Sequence, residues 1–134
     1  MTAPDTIAAI ATALGPAGIG VIRVSGPAAL AVAGQIVSSG SEIELRDRVT
    51  TLVSLRDPYD GSLFDQALVT YMAAPRSYTT EDVVEISCHG GIAAVRATLD
   101  AVLAAGARLA EPGEFTLRAF LNGRIDLVQA EAVA

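Results

Sequence analysis

The apolar positions fall into short runs broken by Gly, Pro and Asp, with only one long helical stretch. Residues 6–12 (TIAAIAT) make a compact apolar run that predicts a buried strand. Residues 14–18 (LGPAG) read as a loop from their Gly and Pro, and residues 20–25 (GVIRVS), rich in β-branched side chains, as a second strand. Gly26-Pro27 opens a helix, with Pro in a first-turn position that needs no N–H. Its stripe is predicted at Leu30, Ala33 and Val37 and its end near Ser38-Ser39-Gly40. Residues 41–47 read as a surface connection. Residues 49–55 alternate as a strand, and residues 57–61 (DPYDG) form a turn in which Pro presets φ and Gly61 accepts a left-handed backbone. Residues 64–72 return as a strand, which makes a hairpin.

Residues 75–80 are a polar loop and residues 82–89 (DVVEISCH) another strand, ended by Gly90-Gly91. Residues 92–105 carry Ile92, Val95, Leu99, Val102 and Leu103 at helical spacing, with Gly106 as the C-cap. Residues 107–110 read as a short strand. A short helix follows from Glu114 to the Asn122-Gly123 turn. Asp126 with Gln129 three residues on is a capping-box pattern, and its helix reaches Ala134 without a stop signal, as if interrupted. Strands and helices alternate without a strict βαβ rhythm, and the hairpin calls for antiparallel pairing. The expected class is α+β, with a mixed or antiparallel sheet and flanking helices.

Composition narrows the chemistry. The 134 residues suit one ordinary domain, and 51% hydrophobic content supplies a core. With three Phe, three Tyr and no Trp, that core must come from Val, Ile, Leu and Ala. Small side chains bury little area each, which leaves room for a partner to add stability. The net charge is −6 and all nine basic residues are Arg. An acidic chain without a basic run is not expected to bind nucleic acid directly, although one or two Arg can hold a small ligand. The single cysteine, Cys88, excludes an internal disulfide and reads as a small buried hydrophobe. No basic segment followed by a long apolar one opens the chain, and no apolar run is long enough for a membrane span. The expectation is a cytoplasmic protein.

Gly15, Gly18 and Gly20 give G-x-x-G-x-G, the reverse of a dinucleotide fingerprint, and a strand follows where that motif needs a helix. A phosphate loop needs a Lys, which the chain lacks. The glycines read as a tight turn. Two strands carry a charge in mid-run. Val21, Arg23 and Ser25 share one face, as do Val83, Glu85, Ser87 and His89. Three readings stay open: Arg23 and Glu85 point to solvent, pair with each other, or line one ligand pocket. In a pocket, a carboxylate can accept two N–H bonds from a heterocycle edge, and a guanidinium can hold a carboxylate. His89 is the only histidine and no G-x-S-x-G elbow exists, so no catalytic triad can be assembled. His89-Gly90-Gly91 reads as a sharp strand-to-helix turn, and no metal site is expected. Arg118 and Arg124 read as cations at a helix end, favourable to its dipole, with Arg124 on a turn that can reach a pocket mouth.

Three stretches together resemble one family: residues 5–26 (DTIAAIATALGPAGIGVIRVSG), 77–91 (SYTTEDVVEISCHGG) and 112–133 (PGEFTLRAFLNGRIDLVQAEAV). They are similar to the amino-terminal domain of the tRNA-modification GTPase MnmE (TrmE) family, over nearly the whole chain. The resemblance implies a fold similar to the folate-binding domain of aminomethyltransferase-like proteins. It implies an amino-terminal unit over residues 1–121 and the start of a helical domain over 122–134. It implies a homodimer that binds a tetrahydrofolate derivative (5-formyl- or 5,10-methylene-tetrahydrofolate) through Arg23, Glu85 and Arg124. In the full-length family member, GTP, Mg2+ and K+ belong to a separate GTPase domain. That protein acts with MnmG on the wobble uridine of tRNA, adding a carboxymethylaminomethyl-type group. Arg124 stands where the family usually has Lys, Thr80 where Gly is common, and the loop around Pro16 and Ala17 is poorer in Gly. The GTPase motifs and a carboxy-terminal Cys motif are not in this chain, so no catalytic residue is assigned to it. Two other functions remain open: a dimerisation scaffold without a working folate pocket, and a folate-dependent one-carbon transferase.

Overall fold

A computed structural model describes residues 5–12, 18–38 and 44–133. Along the chain run β1 (Ile7–Ile10), β2 (Ile19–Ser25), α1 (Ala29–Ile36), β3 (Val37–Ser38), β4 (Thr50–Arg56), β5 (Leu63–Met72), β6 (Val83–His89), α2 (Ile92–Ala104), β7 (Arg108–Leu109), α3 (Glu114–Leu121) and α4 (Leu127–Val133). The expected α+β class is what the structure has. One seven-stranded sheet runs in the order β3-β4-β5-β6-β2-β1-β7. Every pairing is antiparallel except β1 with β7, so the sheet is mixed.

Helices α1 and α2 pack together on one face of the sheet, over a core built from Ile22, Val24, Val69, Val84 and Ile86. Alternation in β2 and β6 sends these side chains into the core and Arg23, Glu85 and Ser87 to the other face. The close approach of α2 depends on Gly20, where an added Cβ would lie 2.4 Å from Val95 Cγ2. The β4–β5 hairpin forms as expected. Asp57 Oδ1 accepts the N–H groups of Tyr59 and Asp60, and Gly61 sits at φ 77°.

Two helical stripes differ from expectation. In α1 the buried residues are Ala29, Val32, Ala33 and Ile36, while Leu30 is exposed. The helix ends at Ile36, and Val37–Ser38 becomes strand β3 against β4. In α2 the buried face is Val95, Thr98, Ala101 and Val102, and Ile92 is exposed. Ala33, Val95 and Val102 are buried as predicted, but Ala29, Thr98 and Ala101 share the buried faces with them while Leu30 and Ile92 face out. Close packing of helix on sheet selects small side chains there, which a search for bulky apolar residues misses. The helix stop predicted at 38–40 falls partly outside the described residues, as do most of the 14–18 loop and part of the 41–47 connection. Within that connection Asp47 bridges Tyr71.

The helix ends behave as their sequences suggest. After α2, Gly106 N–H donates to Leu103 O and Ala107 N–H to Val102 O, a Schellman motif with Gly106 at φ 120°. After α3 the same pattern recurs: Gly123 N–H to Phe120 O, and Arg124 N–H to Ala119 O. Asp126 and Gln129 exchange both capping-box bonds, each 2.8 Å long. The turn after β6 forms as read, between His89 and Ile92. Gly91 sits at φ −64°, ψ 146°, which any residue can adopt, so the backbone there does not require glycine. Among the described residues no helix is long and apolar enough to cross a membrane.

Candidate functional site

The face of the sheet opposite α1 and α2 is only partly covered. Arg23 on β2 stands directly across from Glu85 on β6 in the strand register. The side chains meet through one contact, Arg23 Nη2 to Glu85 Oε2 at 3.5 Å, and each remains about one-third exposed (33% and 31%). Both also line a cavity of about 460 Å³, with Tyr78, Phe115 and Thr116 forming other parts of its wall. The pairing reading therefore holds, and the pair also lines one cavity. A single-contact pair at this exposure is worth at most about 1 kcal/mol, so an incoming ligand can replace it at little cost.

Phe115 lies under the Arg23 guanidinium, 5.8 Å from Cζ to the ring centroid, which fixes the cation without neutralising it. Tyr78 Oη and Thr116 Oγ1 are 3.2 Å apart and join the loop before β6 to α3. The site thus offers a carboxylate, a guanidinium, two aromatic rings and two hydroxyls. It can accept paired N–H donors, hold an anion or carbonyl, and stack a flat ring.

Arg118 holds these walls together, and here the structure corrects the sequence reading. The side chain does not serve the end of its own helix; it is buried and reaches across to other segments. Its Nη1 donates to both Glu81 oxygens at 3.1 Å and to Asp5 O at 2.6 Å, and its Nη2 to Asp5 Oδ1 at 2.7 Å. Ser25 Oγ donates to Glu81 Oε1 at 2.9 Å. Arg108 adds bonds to Asp5 and Glu114. The bonds from Arg108, then from Arg118, hold the Asp5 carboxyl down at about 2, against partial burial. Arg108 likewise lowers Glu114. The network ties β2, the loop before β6, α3 and the first described residues into one frame.

Arg124 is not beside Arg23 and Glu85. It lines a second cavity, of about 480 Å³, with Arg48, Arg76 and Tyr78. Tyr78 borders both cavities. Sequence reasoning missed Tyr78, Phe115, Arg48 and Arg76. Tyr78 and Phe115 had a usable signal, being aromatic in a chain with only six Phe and Tyr. Arg48 and Arg76 had none, because they converge from distant segments.

His89 is exposed and holds Asp65 through Nδ1 at 2.6 Å, on a different part of the sheet. Cys88 is buried, and burial pushes its thiol pKa up, so it stays unreactive. Thr80, in the loop that carries Tyr78, sits at φ 67°, a left-handed conformation that strains a β-branched residue. Glycine would adopt this backbone without that strain.

Fold and site together define an α+β domain with a charged, aromatic-edged cavity on the open face of its sheet. Residues 6–124 match the family described as "GTP-binding protein TrmE N-terminus". Similar proteins include the "tRNA modification GTPase MnmE" of Geobacter sulfurreducens, 56% identical over 133 residues, which are 99% of this chain and 29% of that protein. The protein of the same name from Chloroflexus aurantiacus is 61% identical over 128 residues, 96% of this chain and 28% of that protein. The chain belongs to the TrmE amino-terminal family, and it spans less than a third of the length of these relatives.

Proposed function

We propose that this domain binds a tetrahydrofolate in the Arg23–Glu85 cavity and dimerises, as the amino-terminal part of a tRNA-modification GTPase. The observation that carries the folate reading is the cross-strand Arg23–Glu85 pair inside a cavity of about 460 Å³ edged by Tyr78 and Phe115. That volume lies within the range of small-ligand pockets, roughly 300–1,000 Å³. The groups suit the ligand. Glu85 would accept the paired N–H donors of the pterin edge, Arg23 would face a carbonyl or carboxylate, and Phe115 and Tyr78 would flank a ring. Bound folate would supply a one-carbon unit; the chain's own residues bind and orient it. Arg124, in the adjoining cavity, would orient the ligand's distal end.

The dimer reading rests on apolar residues that the fold leaves uncovered. Leu52 and Leu68 face each other across β4 and β5 and line one shallow cavity with Ile19, and all three are well exposed. A second copy of this chain is the occupant we propose for this band, which reaches β2, the strand that carries Arg23, at Ile19. In the parent protein, GTP with Mg2+ and K+ would be handled by a separate domain. MnmG and tRNA would be partners of the whole protein, in the cytoplasm.

Calorimetric titration with 5-formyltetrahydrofolate tests the reading. Binding is expected, and Glu85→Ala should weaken it by at least about tenfold, the loss of a charge-assisted bond pair. A folded dimer that shows no binding heat would leave a dimerisation scaffold. Turnover of a one-carbon donor by the isolated domain would favour a transferase instead.

A further inference from the structure

The second cavity is unusual for this chain. The protein carries a net charge of −6, yet three of its nine arginines line one cavity and no acidic residue lines it. Arg48 comes from the segment before β4, Arg76 from the loop after β5, and Arg124 from the Schellman turn after α3. Each is anchored by its backbone. Arg48 N–H donates to Tyr71 O at 2.7 Å, and the residue is held at φ 61°, a conformation a non-glycine residue adopts only when its surroundings impose it. Arg76 N–H donates to Ala73 O, and Arg124 N–H to Ala119 O. The Arg48 guanidinium bonds Arg76 O, which brings the two segments together.

Among the described residues one carboxylate pairs with these arginines. Asp47 Oδ2 lies 3.4 Å from Arg76 Nη2 and 4.0 Å from Arg48 Nε. Its other oxygen accepts Ala73 N–H at 2.8 Å. Arg124 makes no ion pair among the described residues. Among the described residues, three arginines thus face one carboxylate in a cavity that shares Tyr78 with the Arg23–Glu85 cavity.

We propose that the Arg48–Arg76–Arg124 cavity is an anion subsite for a multi-carboxylate tail, carried by the ligand whose head occupies the Arg23–Glu85 cavity and passing Tyr78. This rests on the folate reading and deepens it: the chain would prefer folates bearing added γ-linked glutamates over the monoglutamate. A tail is favoured over a nucleic-acid phosphate backbone because the cavity is compact and the protein as a whole is acidic, with a net charge of −6. The arginines are solvent-accessible, Arg76 more than Arg48, so each contact adds modestly and weakens with salt.

The test is titration of this chain with mono- and triglutamyl 5-formyltetrahydrofolate at low and high salt. The triglutamate should bind on the order of tenfold more tightly at low salt, with the gain shrinking at high salt. Arg76→Ala, at a side chain 74% exposed and so of little consequence for folding, should remove much of that gain. Arg48→Gln should do the same, with circular dichroism reporting that the fold is kept. Equal affinities for the two ligands would overturn the subsite and leave the folate reading standing. So would Arg76-dependent binding of a short single-stranded RNA without any tail-length preference. Failure to bind either ligand would remove both.

Discussion

At Thr80 the backbone is left-handed, and the residue present is one of the least suited to it. An L-residue in this region carries about 1–2 kcal/mol of strain, partly offset on substitution because Gly has more freedom to lose. Thr80→Gly is therefore expected to stabilise the domain by about 1 kcal/mol, raising Tm by roughly 4 °C in a thermal melt. An unchanged or lower Tm would mean that the Thr80 side chain makes contacts worth more than the strain. Arg23 and Glu85 show the complementary case. Their strands and faces were readable from alternation, and their direct opposition required knowing that β2 and β6 are neighbours. Between two charges in two strands, only register decides whether they meet.

At the scale of elements, the sheet and α2 approach closely enough that Gly20 has no room for a methyl group. Gly20→Ala would push α2 away from β2 or displace Val95. The expected cost is about 1–3 kcal/mol, measured as a lower urea midpoint with an unchanged m-value. Gly34, which has open space around it, is the control: Gly34→Ala lies within α1 and is expected to stabilise by up to about 1 kcal/mol. The elements were largely legible in the sequence, because turn and cap chemistry is local. DPYDG, Gly106, Asn122-Gly123 and the Asp126–Gln129 box each act within a few residues of where they stand. The buried stripes were less legible. Ala33 is buried as predicted, but Ala29 and Ala101 also face the core because of how the helices pack, and hydrophobicity ranks them below Leu30 and Ile92, which face out.

For the whole molecule, the Arg108–Arg118 network makes a pH prediction. The Asp5 carboxyl titrates at about 2 in the folded protein against an ordinary 3.8, and Glu114 is also lowered. A depressed carboxyl pKa means that the folded state holds fewer protons than the unfolded one in this range. The stabilisation is full above the ordinary carboxylate range and is lost as pH falls from about 4 to about 2. Urea unfolding at a series of acid pH values should show stability falling across that window, with a shallower fall in Asp5→Asn. Equal slopes in both proteins would show that Asp5 does not contribute. Association belongs to the same scale. Leu68→Glu places a charge in the exposed apolar band and should shift sedimentation from dimer to monomer, with circular dichroism unchanged. A dimer that survives the substitution would move the interface elsewhere.

What the sequence by itself determined was local and chemical: the α+β class, the order of elements, their caps and turns, the mid-strand charges, and a family resemblance carried by contiguous motifs. These depend on backbone preferences and side-chain periodicity within short windows. Only the tertiary structure decided which distant residues share a space. It set Arg23 against Glu85, buried Arg118 among three carboxylates, placed Tyr78 between two cavities, and gathered Arg48, Arg76 and Arg124 into one of them. Such meetings follow from strand order, register and helix packing, which depend on the whole chain closing over one core.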